Sequence, residues 1–326
     1  MYKKGRILII GACGQIGRAL TQALREKYGY RSVIPTDILE PKKALDIQGY
    51  QQLDVLDKAR ILYLSRKEKF TQVYHLAATL SAKGEEFPLV SWDLNMQGLL
   101  NLLDVAVKCN FEKVFWPSSI AVFGPDAPKE NCPQDAPLNP DTVYGISKMA
   151  GEQWCKYYHE KYGLDVRSIR YPGLISHSAM PGGGTTDYAV DIFHEAMENL
   201  SYTCFLNADE RLPMMYLPDA IRATLELMES PAEKITIRTS YNLQGISFSP
   251  EELAGEIKRL LPQFEIHYQP DKRQAIATSW PNSIEDSQAR RDWGWDCHYD
   301  IRRLVRDMME NLYKKHKQLA AIPANS

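Results

Sequence analysis

The chain has 326 residues, 44% of them hydrophobic, and a formal net charge of −2. That is the composition of a globular protein long enough for a large buried core. The near-neutral balance gives no electrostatic reason to expect nucleic acid or an anionic membrane surface as a partner. Cys13, Cys109, Cys132, Cys155, Cys204 and Cys297 form no Cys-x-x-Cys and lie beside no histidines at zinc-ligand spacing. They read as core residues of a reducing compartment, with no metal expected. Met1-Tyr2-Lys3-Lys4 runs straight into an apolar strand without the pattern of a signal peptide, and no stretch suits a bilayer span. A cytoplasmic enzyme is the expectation.

In chain order, Ile7 to Ile10 is a buried-strand run ending in Gly11, and Gln15 to Tyr28 has helical spacing of Ile16, Ala19, Leu20, Ala23 and Leu24. A second strand, Ser32 to Thr36, ends at Asp37. Further strands are expected at Val73 to Leu76, Val114 to Trp116 and Val166 to Arg170, with long helices over Pro88 to Asn110 and Thr142 to Tyr162. Alternation of this kind predicts an α/β fold with a doubly wound, Rossmann-type parallel sheet. After Pro181-Gly182-Gly183-Gly184, Thr185 and Thr186 offer N-caps for a helix to about Asn199. Ser249-Pro250-Glu251-Glu252 carries a capping box, and a last helix runs from Ile301 to about Leu319. The basic run Lys314 to Lys317 is its solvated end. The expected division is a cofactor domain over residues 1–170, to which later segments return. A smaller, mainly substrate-binding lobe follows over 171–319, then a flexible tail, 320–326.

Gly11-Ala12-Cys13-Gly14-Gln15-Ile16-Gly17 lies between the first strand and the first helix. Residues without Cβ let the backbone approach a pyrophosphate, and the helix N-terminus presents free N–H groups to it. Asp37, about 20 residues on, is placed to accept from an adenosine ribose and to repel a 2′-phosphate, which favours NAD over NADP. Asp54, beside Val55, would meet the adenine amino group or serve as a turn cap. Tyr144-Gly145-Ile146-Ser147-Lys148 puts a phenol and an ammonium on one helix face. The fixed positive charge lowers the phenol pKa for proton abstraction. Ser118-Ser119, just past the Val114 to Trp116 strand, offers a hydroxyl to orient a substrate oxygen.

These motifs, with His75-Leu76-Ala77-Ala78, Ser118 to Gly124 and Arg170-Tyr171-Pro172-Gly173, resemble the extended short-chain dehydrogenase/reductase superfamily over nearly the whole chain. The resemblance implies Tyr144 as acid/base, Lys148 on the nicotinamide ribose, and Ser119 rather than Ser118 on the substrate oxygen. It also implies backbone support for the nicotinamide at Tyr171, Pro172 and Leu174, and a homodimer built on the two long helices. His75 reads as a core residue at a strand end. Four blocks, Leu80 to Glu85, Met180 to His194, Arg211 to Tyr216 and Ser279 to Ser283, are similar to the short-chain type of L-threonine 3-dehydrogenase. That family oxidises the β-hydroxyl of threonine to 2-amino-3-ketobutyrate with formation of NADH. It implies a substrate site of Ser81, Ser119, Tyr144, Gly184, Thr185, Thr186 and Trp280, the last as a wall excluding water. The competing expectations are a sugar-nucleotide 4-epimerase, for which no basic diphosphate site is evident near Gly184, and a non-catalytic NAD sensor, which would not need the tyrosine and lysine.

Overall fold

A computed structural model describes residues 5–44, 46–178, 180 and 182–320, apart from the side chains of 316 and 318–320. The expected tail, beyond its first residue, lies outside the described residues. The first half runs β1 (Arg6–Ile10), α1 (Gln15–Tyr28), β2 (Val33–Asp37), β3 (Gln51–Gln52), α2 (Lys58–Glu68), β4 (Phe70–His75), α3 (Ser81–Gly84), α4 (Pro88–Trp92), α5 (Gly98–Lys108), β5 (Lys113–Phe115), β6 (Ser118–Ser119) and α6 (Val143–Tyr162). Next come β7 (Val166–Arg167), β8 (Ile169–Tyr171), β9 (Gly173–Ile175), α7 (Tyr188–Glu198), β10 (Ser201–Cys204), β11 (Leu212–Tyr216) and α8 (Leu217–Glu229). The last part is β12 (Tyr241–Asn242), β13 (Ile246–Phe248), α9 (Pro250–Leu260), β14 (Glu265–Tyr268), α10 (Lys272–Ser279), α11 (Ser287–Trp293) and α12 (Ile301–Ala320).

Six strands form one parallel sheet in the order β3-β2-β1-β4-β5-β7. The reversal of strand order beside β1 is the switch point at which such sheets bind ligands. The core strands are nearly continuous Val/Ile/Leu because helices cover both faces: Ile7 and Ile9 pack with α1 and α8, and Leu8 and Ile10 with α2 and α5. A third cluster lies under α7, α9 and α12 in the second half. No helix among the described residues is long and apolar enough to cross a membrane.

Three local features differ from the sequence reading. The helix expected over 88–110 carries a π-turn at Asp93–Gln97 between α4 and α5, one that hydrophobic periodicity does not register. The strand expected over 166–170 divides into β7 and β8. β7 completes the six-stranded sheet, whereas β8 lies between β6 and β12 in a separate three-stranded sheet. Finally, α7 starts after Asp187, without a side-chain cap, so Thr185 and Thr186 precede the helix and do not cap it. The capping box at Ser249 and Glu252 forms as read, and Thr142 caps α6 by accepting from Gly145 N at 3.1 Å.

Candidate active site

The glycine loop turns tightly between β1 and α1. Gly11 has φ of +88°, and a Cβ there would lie 2.7 Å from the Ala77 nitrogen. At Gly17 a Cβ would stand 2.1 Å from the Gly11 carbonyl, so the first turn of α1 packs directly on the loop. Gly14 is the N-cap of α1 and offers no side chain, leaving the helix-start N–H groups for an anion. Asp37, at the end of β2, accepts from Cys13 N at 2.9 Å and so stands over the same loop. This cradle fits a dinucleotide. Asp54 accepts from Leu56 N at 2.9 Å in a local turn, and Val55 is buried against Gly98.

From this loop a cleft of about 830 Å³ runs past the ends of the strands. Its walls bring together Gln15, Ile16, Leu76 and Ala78 on one side and Ser119, Tyr144, Lys148, Tyr171, Pro172 and Leu174 below. Ser81, Gly184, Thr185, Thr186, Asp187 and Trp280 close the far end. Sequence positions from 15 to 280 thus meet in one space. Among these residues Lys148 is the single cation and Asp187 the single anion.

Burial sets the electrostatics. The Tyr144 phenol is pushed up to about 12 by desolvation, partly offset by its hydrogen bond with Ser119. Desolvation pulls Lys148 down to about 7. The Lys148 ammonium donates to the Pro117 carbonyl at 2.5 Å and sits 4.4 Å from the Trp116 ring centre and 5.5 Å from that of Tyr144. The two adjacent serines are held differently. Ser118 donates to Glu152 Oε1 at 2.6 Å, so its hydroxyl is committed away from the phenol, whereas Ser119 faces Tyr144.

At the far end, Ser81 and Thr185 hydroxyls lie 3.3 Å apart, both buried. The N–H groups of Gly183 and Gly184 donate to Asp187 Oδ2 at 2.8 and 2.7 Å. The Gly184 N–H, in the implied substrate site, is therefore already engaged by Asp187. Trp280 is buried, and its indole N–H has no hydrogen-bond partner. His75 is buried beneath the site with both ring nitrogens unpartnered, and desolvation pulls it down to about 3. It is a neutral core residue.

Two groups escaped the sequence reading. Asn95, in the π-turn, accepts from Thr79 N at 2.9 Å and donates to Ser147 Oγ at 3.1 Å. Ser147 in turn donates to the Tyr144 carbonyl at 2.7 Å, so these hydrogen bonds brace α6 against the turn between α4 and α5. Asp187 falls in the first turn of the helix expected after Thr185 and Thr186 and is given no role there, although an acid three residues beyond Gly-Gly-Gly is the available signal.

Comparison with known proteins agrees with this geometry. The NAD dependent epimerase/dehydratase family matches residues 7–243. An uncharacterised epimerase/dehydratase of Staphylococcus saprophyticus is 46% identical, over 96% of this chain and 98% of that protein. The holo structure of a GalE-like L-threonine dehydrogenase from Cupriavidus necator superposes with a TM-score of 0.92 at 54% identity, covering 94% of this chain and 99% of its own. A monomeric L-threonine 3-dehydrogenase from a metagenome superposes equally well, with a TM-score of 0.92 at 49% identity and coverage of 95% and 99%. With the glycine cradle, the acid over it and the phenol–ammonium pair beyond it, the chain belongs to the NAD-dependent epimerase/dehydratase family and is an oxidoreductase that uses NAD.

Proposed function

We propose that the protein is an L-threonine 3-dehydrogenase, converting the β-hydroxyl of L-threonine to the ketone of 2-amino-3-ketobutyrate. The observation that carries this reading is the composition of the far end of the cleft, which is small, hydroxyl-rich and holds a single acid. Ser81, Thr185 and Thr186 suit a small carboxylate, Asp187 suits an ammonium, and Trp280 walls the space from water. A sugar-nucleotide diphosphate would demand cations there, and the one cation of the cleft, Lys148, is placed beside Tyr144. The likeness to threonine dehydrogenases over nearly the full chain points the same way.

In this mechanism Tyr144 takes the hydroxyl proton as phenolate and Ser119 holds the oxygen that becomes the carbonyl. Lys148 stabilises the phenolate and binds the nicotinamide ribose. Gly11, Gly14, Gln15, Ile16 and Gly17 hold the pyrophosphate, Asp37 the adenosine ribose and Asp54 with Val55 the adenine pocket. Leu76, Ala77, Ala78, Tyr171, Pro172 and Leu174 line the nicotinamide side. Bound NAD supplies the hydride acceptor. Residues 1–170 carry the cofactor and 171–319 mainly the substrate, and we place the enzyme in the cytoplasm. A homodimer through α4–α5 and α6 accounts for Phe87, Leu89 and Val90 being 65, 80 and 68% exposed, with Ile146, Trp154 and Tyr157 open on α6. A clean monomer on sedimentation at micromolar concentration rejects that assembly.

The test is absorbance at the NADH wavelength with NAD and L-threonine, against L-serine, allo-threonine and NADP. Threonine- and NAD-dependent formation of NADH is expected. A flat trace with NAD tightly held would reject the assignment and direct the search to sugar nucleotides.

A further inference from the structure

Tyr144, Lys148 and Glu152 follow one another at intervals of four along α6 and share one face. Glu152 is completely buried, and it is the meeting point of three elements. Arg170, on β8, forks onto it, with Nε donating to Oε1 at 2.9 Å and Nη2 to Oε2 at 2.8 Å. Ser118, on β6, donates to Oε1 at 2.6 Å. The remaining arm of Arg170 donates to the Gln134 carbonyl and to Asn242 Oδ1, both at 3.0 Å. In the strand register Ser118 lies opposite Arg170 and Ser119 opposite Tyr171. One carboxylate therefore ties the helix of the phenol and ammonium to the strand of the orienting hydroxyl and to the strand leading into the nicotinamide side.

A buried ion pair of this kind contributes little net stability over apolar packing, because desolvating both charges offsets their attraction. Its value is geometric. We propose, building on the dehydrogenase reading, that Glu152 is a positioning residue of the reaction. It fixes Ser119 against Tyr144 through Ser118, and, one turn on from Lys148 along the same face of α6, it supplies the countercharge to the lysine beside the phenol.

The other groups around Lys148 leave that role to Glu152. Tyr144 is held protonated by burial in the absence of further charge. Cys155, one turn past Glu152 on the same side, is held well above the ordinary thiol range by burial and remains neutral. His75, from β4, is also neutral, and Trp116 and the Pro117 carbonyl carry no net charge. Arg170 forks onto the same carboxylate, so its charge partly offsets that of Glu152 at Lys148.

The experiment compares the wild-type enzyme with Ser118→Ala and Glu152→Gln. The readouts are the pH profile of kcat/KM for L-threonine at saturating NAD, and the titration of Lys148 by NMR of ¹³C-lysine-labelled protein. The Lys148 resonance is assigned by its loss in Lys148→Met. Glu152→Gln is expected to lower the Lys148 midpoint by about one pH unit, to carry the break of the acid limb down with it, and to lower the plateau about tenfold, because less of the singly deprotonated pair holds its proton on the lysine. Ser118→Ala is expected to leave the acid limb in place, to lower kcat about tenfold and to keep KM within about twofold. If Glu152→Gln does not fold because Arg170 is stranded, the double variant Glu152→Gln/Arg170→Gln strands no charge, and a smaller shift in the same direction is expected in it, since the opposing charge of Arg170 is gone as well. An unmoved Lys148 midpoint, or a Ser118→Ala enzyme with wild-type kcat, overturns the proposal. A wild-type enzyme inactive on threonine defeats the dehydrogenase reading instead, while the NMR midpoint still decides the charge relation between Glu152 and Lys148.

Discussion

The relation between Tyr144 and Lys148 predicts a particular pH dependence. With its phenol at about 12, Tyr144 alone would be ionised to about one part in 10⁵ at pH 7, a cost of about 7 kcal/mol at 1.36 kcal/mol per unit. The ammonium lies 5.5 Å from the ring centre. At that separation an effective dielectric constant of about 20 gives an attraction of about 3 kcal/mol, or about two pKa units. The two groups thus titrate as a pair sharing one proton loss near neutrality. For the wild type, kcat/KM for threonine oxidation should rise about tenfold per unit below neutrality and level off near pH 8. In Lys148→Met the paired ionisation is gone. The rate at pH 7 should fall about 100-fold and still be climbing at pH 10. The assay is initial NADH formation at saturating NAD, with the dissociation constant for NAD measured separately so that weakened cofactor binding is not mistaken for lost base strength. A profile flat from pH 6 to 9 in the wild type, or the same break in both enzymes, would refute the reasoning.

His75 should act on stability alone. Its folded pKa, about 3, lies below the unfolded value of 6.5, so the unfolded chain gains a proton first and stability falls as pH drops from 6.5 towards 3. His75→Leu should remove most of that fall in urea titrations and raise stability at pH 7 by about 1–3 kcal/mol, since no hydrogen bond is lost. Trp280→Phe deletes an N–H without a partner and should leave the melting temperature and the threonine KM nearly unchanged. Trp280→Ala should cost about 3–5 kcal/mol and raise KM, because it opens the wall of the cleft. Asp37→Ser should raise the KM for NAD about tenfold and bring measurable NADP activity, as the charge facing a 2′-phosphate is gone.

The cofactor half was largely legible because its signals are local. Gly11 has positive φ, β2 ends at Asp37, and α6 begins at its Thr142 cap and ends before Gly163 in the left-handed region. The π-turn at Asp93–Gln97 was not, since over a single five-residue turn the apolar spacing does not separate it from the flanking α-helix, and it is this turn that carries Asn95. Thr185 and Thr186 looked like caps by residue type, but Asp187 already binds the N–H groups of Gly183 and Gly184. Nor could spacing reveal that Glu152 meets Ser118 and Arg170, 34 and 18 residues away, because a charged residue inside a helix ordinarily reads as a solvated one.

The division between β7 and β8 has an evolutionary consequence. Because the chain leaves the main sheet after Arg167, the strands bearing Ser119 and Tyr171 are hydrogen-bonded to each other, while the hydroxyls of the far end come from Ser81 and the segment leading into α7. In the dehydrogenase we propose, reaction machinery and molecular recognition thus rest on separate supports. Mutation can redraw the far end for another small alcohol while the register of hydroxyl, phenol and cofactor edge is inherited intact, so new specificities need not pass through inactive ancestors.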